Sequence, residues 1–548
     1  MKKSIIWSIL LVSCAVSLFL HLYHQDALCL NEDEASHGYN TYAVLQTGRD
    51  EYGRLPVRYL AFGENKLPLA GMLASPFIAS FGLQTWTVRM PTLIIGSLFP
   101  LLIFAAMYSL SRNLFTSTTA AFFGATNIWL QVFSRHLHEA VVFTGFVLLY
   151  ITVLFWKRQL PKKHMIILST LTFLALFSYH SAKVVMPVLA LFSIALHYRS
   201  SKGDVTHRLK GAGIFFVILS VAFVLFFATE YIVPNNRVAN LSYVTNPVFV
   251  YEIEEGRKLG GSKLFYNRPI YGAYQIAKRT LNYTSPDFLL FQSDENPRFG
   301  ASYLPLLTWL EYILFLIGFV AVGIRIISKR ITMEYAFIGI LLLISILPAS
   351  LSILEGSATR SYLLCLPIVM LGAIGTQFVM DTCLQFFKSS YAAYLVVIAL
   401  LVCQIILVSG HWTIYFHRYL SDGKTKGAWQ CGMREVAEYA WLNRDAFEKI
   451  AILSPMGQPY IFLLFYGGPY PPEKYQKIAK QLPYNAYGFW EQDSFDKFSF
   501  THDLRCERGV KSLQISLNKD VMTQQNQTKE WIMHGSGSTR FYSFVCKN

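Results

Sequence analysis

Charge is what this sequence is shortest of. Of its 548 residues, 15% are Asp, Glu, Lys or Arg, against about 25% in a soluble protein of this length. An ordinary water-soluble fold is thereby excluded. Other absences narrow the reading further. The eight cysteines form no CxxC pair and no zinc-like spacing, so nothing marks a zinc module. There is no internal repeat and no low-complexity tract. After Met1-Lys2-Lys3 and an apolar run to Leu20, no clear small-x-small cleavage site follows, so the run reads as an uncleaved first helix.

What the chain has instead is apolar length. It is 53% hydrophobic and 15% aromatic, with a mean hydropathy of +0.36. Runs of roughly 17–24 apolar residues recur, long enough to cross a bilayer as helix. The expected class is an all-α polytopic membrane protein. Its spans fall near 4–22, 87–110, 116–133, 139–156, 164–180, 183–198, 210–229, 304–327, 333–353, 361–381 and 391–410, about eleven crossings. Residues 67–82 are apolar but short and interrupted by Pro68 and Pro76, which fits an interfacial or re-entrant helix.

The net charge of +15 does not signal a nucleic-acid partner, because much of the excess sits in short loops between spans. Arg112, Lys157-Arg158 with Lys162-Lys163, Arg199 with Lys202, Arg208 and Lys210, Arg325 with Lys329-Arg330, and Lys388 all fall on the same side as Lys2-Lys3. That is the positive-inside pattern. It places the N-terminus in the cytoplasm of a multi-pass cell-membrane protein and leaves 23–66, 230–303 and the tail outside. The expected division is a membrane domain over 1–410 and an extracytoplasmic domain over 411–548. The tail mixes apolar runs, such as Ile450–Leu453 and Tyr460–Leu464, with helix-like stretches such as Met433–Leu442, which suits a small α/β domain. Cys14, Cys365, Cys383 and Cys403 lie in or beside spans and read as small core residues. Cys506 and Cys546 are placed to pair in an oxidising compartment.

This topology gathers ionisable residues at the outer span ends. Asp33, Glu34 and Lys66 come from the first loop and Arg89 from the start of the next span. Arg135, His136, His138 and Glu139 share a short loop, His180 and Lys183 another, and Glu355 and Arg360 a later one. Span interiors are nearly free of charge, Glu311 being the main exception. An ion-coupled transporter carries ionisable groups near the midplane instead. Outside the membrane, where nucleotide sugars are scarce, group transfer needs a donor that arrives in the lipid. A polyprenyl-phosphate sugar is such a donor. Its phosphate leaves as a stable anion without a general acid. A carboxylate must still take the proton of the attacking hydroxyl, and cations or a metal must hold the phosphate.

The residues then resemble a known family. Asp33-Glu34-Ala35 with Tyr39, Glu64-Asn65-Lys66-Leu67-Pro68-Leu69, Val88-Arg89-Met90-Pro91, Ser134-Arg135 with Glu139, Tyr283–Leu289 through Asn296-Pro297-Arg298, and Thr359-Arg360-Ser361-Tyr362 occur in order. Together they are similar to motifs of the GT-C fold glycosyltransferases that use polyprenyl-phosphate sugars. These include the protein O-mannosyltransferases and the aminoarabinose transferases of lipid A. The resemblance covers most of the membrane part; the tail from about 420 matches nothing nameable. It implies an inverting transfer of mannose or another hexose or pentose to an acceptor hydroxyl of a protein, lipid or glycan. Asp33 would be the catalytic base or an acceptor-orienting carboxylate, with Glu34 beside it and Glu139 as the second acidic residue of the catalytic site. Lys66, Arg89, Arg135, Arg360 and Tyr39 would bind substrate. Some members hold a divalent metal near these acids, for which Glu139 and His136 are the candidates here.

Plainer roles stand beside these. Asp33 and Glu34 suit a helix start, as does Glu139. Lys66 suits an interfacial lysine whose stem lies along apolar surface. Arg89 and Arg135 suit lipid headgroups. The histidines suit an interfacial belt. The sequons at Asn240, Asn282 and Asn526 carry no assigned role. The rival functions are a polysaccharide polymerase or ligase with a lipid-diphosphate donor, which calls for a more basic site; a lipid or sugar flippase, which calls for charged or broken helices at mid-membrane; and an inactive scaffold displaying its tail.

Overall fold

The structure, a computed structural model, describes residues 3–157, 160–233, 242–328, 332–453, 457–479, 490, 492–501, 504–517, 532–535 and 540–546. Lys2, Arg158, Lys329, Arg330 and the sequons at Asn240 and Asn526 lie outside the described residues.

The helices follow the apolar runs. In chain order they are α1 (Lys3–Leu22), α2 (Glu32–Thr47), α3 (Leu69–Met72), α4 (Ser75–Phe81), α5 (Thr85–Ser111), α6 (Leu114–Thr126), α7 (Ile128–Phe133), α8 (Glu139–Trp156), α9 (Lys162–Ser178), α10 (Ala182–Ser200), α11 (Val205–Ile232), α12 (Pro247–Lys258), α13 (Arg268–Asn282), α14 (Trp309–Ile327), α15 (Met333–Ser350), α16 (Cys365–Phe387) and α17 (Ser390–His417). The tail adds α18 (Gly423–Ala428), α19 (Met433–Leu442), α20 (Pro459–Tyr466) and α21 (Pro472–Ile478). Every expected span is helical. Among the described residues, nine helices are long and apolar enough to cross a membrane, and the chain is an integral membrane protein. The two remaining expected spans differ in detail. The helix α9 has 17 residues. The span over 116–133 is broken into α6 and α7 at Asn127, whose side chain accepts from Leu130 N and so caps α7. Such a cap offers the backbone an alternative to continuing the helix. The short apolar stretch 67–82 forms α3 and α4, with Pro76 in the first turn of α4.

Two compact units divide the chain. One joins Met1–Tyr23 to Thr92–Tyr419; the other joins His24–Pro91 to Leu420–Asn548. Contacts thus group the first long loop with the tail, a cut different from the division at 410.

In the membrane unit, Glu311 lies in the first turn of α14. It accepts from Thr308 N at 2.8 Å and from Asn127 Nδ2 at 3.1 Å, while Thr308 Oγ1 donates to Gln404. A carboxylate inside the apolar layer is thereby spent on capping a helix. Helices α14 and α16 pack against each other so closely that a β-carbon on Gly318 would meet the Leu371 carbonyl, and one on Gly375 the Leu314 carbonyl. Small residues permit such backbone approach between membrane helices.

In the other unit, β1 (Tyr59–Ala61) and β2 (Glu64–Lys66) form a hairpin. The tail carries a six-stranded mixed sheet of β3 (Lys449–Leu453), β4 (Ser494–Phe495), β5 (Phe498–Thr501), β6 (Ser512–Ser516), β7 (Ile532–His534) and β8 (Phe541–Cys546). Its order is β4-β5-β3-β6-β8-β7. Strand β3 runs parallel to β5 and β6, and the other pairs are antiparallel. The Tyr460 run forms the buried helix α20. Parallel neighbours need a crossover connection, and α20 and α21 lie in the one joining β3 to the rest of the sheet. Cys506 and Cys546 are bonded.

Gly375→Ala should cost about 1–3 kcal/mol through overpacking, read as a lower thermal midpoint in detergent. Gly339→Ala, where a β-carbon meets nothing within 4 Å, is the control. Equal midpoints for the two variants would contradict the close crossing of α14 and α16.

Candidate active site

The expected motif residues lie at the first turn of α2. Asn31 caps it, its side-chain oxygen accepting from Asp33 N and Glu34 N, and Glu34 returns a carboxylate oxygen to Asn31 N. This capping box follows from Asn-x-x-Glu spacing. Glu34 also takes a bidentate pair from Arg89, Nε to Oε1 and Nη2 to Oε2, both at 2.8 Å, with neither side chain exposed. The remaining Arg89 donors reach backbone carbonyls, Nη1 to Leu28 at 3.0 Å and Gln25 at 3.3 Å, and Nη2 to Cys29 at 2.9 Å. A guanidinium has five N–H donors, and all five are engaged. Arg89 and Glu34 therefore hold the stretch from Gln25 to Glu34, and Arg89 has no N–H left for a substrate in this arrangement.

Asp33 differs from its neighbour. It is 52% exposed, and one of its oxygens accepts from Lys66 Nζ at 2.6 Å, while Lys66 itself is only 4% exposed. Lys66 ends β2, one strand away from a two-residue turn at Phe62-Gly63 in which both residues have positive φ, 56° and 81°. A hairpin turn of the primed type demands this, but a phenylalanine adopts it only under constraint. The constraint is visible: the Phe62 carbonyl accepts from Trp490 N, and the Phe62 ring lies 4.6 Å from Lys66 Nζ. The turn sets both the reach of Lys66 and the aromatic face beneath it.

Residues overlooked at the sequence level fasten α2 and the residues just before it to the tail. Cys29 and Cys431 are bonded across 402 positions. The Glu32 carboxylate accepts from Gln430 Nε2 and Gln458 N, and Glu32 N donates to Gln430. Tyr39, expected to bind substrate, is buried and donates to the Tyr470 carbonyl at 2.8 Å. Gly38 lets α2 approach Phe465 of α20. Once Cys506 and Cys546 are paired and four cysteines assigned to spans, Cys29 and Cys431 are the remaining two; that elimination was the available signal.

Behind the hairpin sits Glu51, fully buried. Its amide donates to Asn40, Tyr460 Oη donates to its Oε1 at 3.2 Å, and Oε2 has no hydrogen-bond partner among the described residues. Burial and the adjacent Asp50 push its carboxyl up to about 8. Asp50 is also raised, mainly by burial, although it accepts from the backbone of Tyr52, Arg54 and Leu60.

The other candidates lie in the membrane unit. Arg135 is buried. It donates to the Leu20 and Tyr23 carbonyls at the end of α1, with the Tyr415 and Phe416 rings 5.6 and 5.4 Å from it. A cation capping a helix C-terminus is a structural use. His136 packs among the rings of Phe133, His138 and Phe299. His138 caps α8 through Nδ1, and Glu139 is its first residue. Arg360 is half-buried, and its charge opposes the burial that raises the Asp294 carboxyl; Asp294 accepts from Ala358 N and Asn296 N. Among the described residues, no three of His, Cys, Asp and Glu gather so as to hold a metal ion, so the Glu139 and His136 candidates are not joined into a metal centre.

No family model matches this sequence, and no curated protein matches it. The fold, however, is that of the GT-C membrane proteins. ArnT from Cupriavidus metallidurans bound to undecaprenyl phosphate matches with a TM-score of 0.53 at 11% identity, over 99% of this chain and 98% of its own. The same protein in the apo state matches with a TM-score of 0.51 at 12% identity. The archaeal oligosaccharyltransferase AglB from Archaeoglobus fulgidus, in complex with an inhibitory peptide and a dolichol-phosphate, matches at 0.51 and 12% identity, over 85% of this chain and 64% of its own.

Two expectations follow. Replacing Cys29 and Cys431 with serine should cost about 2–4 kcal/mol and speed amide exchange over 25–34 while the membrane helices keep theirs; unchanged exchange there would contradict the tie. Glu51 holds its proton when folded and has an ordinary value of 4.5 when unfolded. Its contribution to stability is therefore complete below about 4.5 and is lost as pH rises through about 8. Glu51→Gln should flatten the fall of the thermal midpoint between those limits, and a parallel fall in both proteins would contradict the assignment.

Proposed function

We propose that the chain is a membrane glycosyltransferase. It transfers a hexose or pentose from a polyprenyl-phosphate carrier to an acceptor hydroxyl on the extracytoplasmic side. The N-terminus is then cytoplasmic and the unit bearing the tail is outside. One observation carries the reading: an exposed carboxylate, Asp33, held 2.6 Å from a buried lysine, Lys66, at an otherwise saturated helix start. A fold alone does not fix chemistry. Here the fold is shared with proteins solved with undecaprenyl phosphate and dolichol-phosphate, and the pair supplies the two groups that a carrier of this kind needs.

In the reaction the acceptor oxygen forms a bond to the anomeric carbon as the bond from that carbon to the carrier phosphate breaks, with inversion. Asp33 receives the hydroxyl proton. The phosphate departs as an anion and takes over the Lys66 ammonium from Asp33. Glu34 and Arg89 are positioning residues, since they fix the turn that presents Asp33. Glu311, the main charge inside the spans, is engaged in capping α14.

The test is incubation of purified protein with radiolabelled polyprenyl-phosphate sugars and membrane extract, followed by identification of the labelled product. Asp33→Asn should fold normally and transfer nothing; an active Asp33→Asn would overturn the assignment of the base.

A further inference from the structure

Between α11 and α14 in the chain, α12 and α13 form a helical hairpin with its own core. Tyr243, Phe249, Ile253 and Tyr271 are buried together, with Tyr266 against them. Arg279 fixes the base, stacking 3.7 Å from the Tyr243 ring and donating to the Ser352 carbonyl at 2.7 Å. The tip, residues 257–268, has a defined shape. A β-carbon on Gly256 or Gly261 would run into the Tyr266 ring, Gly260 has φ +88°, and Arg257 Nε donates to the Tyr266 carbonyl at 2.7 Å.

What the tip presents is unusual in its combination. Leu259 is 84% exposed, Leu264 75% and Phe265 36%. Arg257, Lys258, Lys263 and Arg268 are exposed among them, and the sequence from 257 to 268 contains no Asp or Glu. A helix surface in contact with the hydrocarbon core is predominantly apolar. Cations interleaved with outward apolar side chains are instead the signature of the headgroup boundary.

We propose that this tip docks on an anionic phospholipid surface. Leu259, Leu264 and Phe265 enter the acyl boundary, and Arg257, Lys258, Lys263 and Arg268 meet headgroup phosphates. Charge complementarity selects the lipid, since juxtamembrane lysine and arginine clusters are drawn to anionic headgroups. Connectivity selects it over a soluble acidic partner. The hairpin is strung between two membrane-spanning helices, so a bilayer is present at high effective concentration, whereas a soluble partner must be recruited. Nothing in this inference depends on the proposed transfer reaction.

The test is hydrogen–deuterium exchange of the full chain in nanodiscs of phosphatidylcholine and of phosphatidylcholine with phosphatidylglycerol. Amides of 257–268 should exchange severalfold more slowly in the anionic discs, with α14 unchanged. The difference should vanish in a Lys258→Ser/Lys263→Ser/Arg268→Ser variant. Equal exchange in the two lipids would overturn the proposal, as would a difference that persists in the variant. Protection arising only when a soluble polyanion is added to phosphatidylcholine discs would also overturn it, in favour of a soluble acidic partner.

Discussion

The bidentate contact between Arg89 and Glu34 is the interaction on which the candidate site rests. Both side chains are fully buried, so each would be costly alone. Removing one partner of such a pair leaves an uncompensated charge at about 3–5 kcal/mol. The pair is tolerable because every Arg89 donor is satisfied and Glu34 doubles as the return arm of a capping box. One guanidinium thereby gathers the carbonyls of Gln25, Leu28 and Cys29 and the first turn of α2. Of the three acids in that turn, Glu32 is engaged with Gln430 and Gln458 and Glu34 with Arg89. Asp33 alone is more than half exposed.

The division of labour among adjacent carboxylates follows from helix geometry. Successive residues in a helical turn point about 100° apart, so three consecutive acids face three environments. Lys66 approaches Asp33 from a hairpin whose turn places a phenylalanine in left-handed backbone, a strain that persists only where the surroundings over-determine it. Trp490 and the lysine itself are part of those surroundings. The disulfide between Cys29 and Cys431 adds a covalent constraint just before the first turn of α2.

Much of this was legible in the sequence, for identifiable reasons. Helical spans are read from apolar length, and all expected spans are helical; α8 has the expected limits, Glu139 to Trp156. The break at Asn127 escaped because a single capping asparagine does not interrupt an apolar average. Asp33 and Lys66 were named from their motifs and do meet. Arg89 and Tyr39 were named for substrate, and the contacts seen here turn the Arg89 donors to backbone carbonyls and Glu34 and the Tyr39 hydroxyl to the Tyr470 carbonyl. Sequence identifies a charged residue but not whether the fold has already used its hydrogen-bonding capacity. The Glu32 clamp, the Cys29–Cys431 bond and the buried Glu51 rest on contacts between residues some 400 positions apart, which no local pattern encodes.

The central claim is that Asp33 and Lys66, though paired, have separate roles. Affinity for undecaprenyl phosphate, which carries no sugar and undergoes no turnover, separates them most directly. Lys66→Ala should bind the lipid phosphate more weakly than the unaltered protein. Asp33→Asn, which frees the lysine from its carboxylate, should bind it at least as tightly. Equal affinity in all three proteins, or loss of binding in Asp33→Asn alone, would contradict the account.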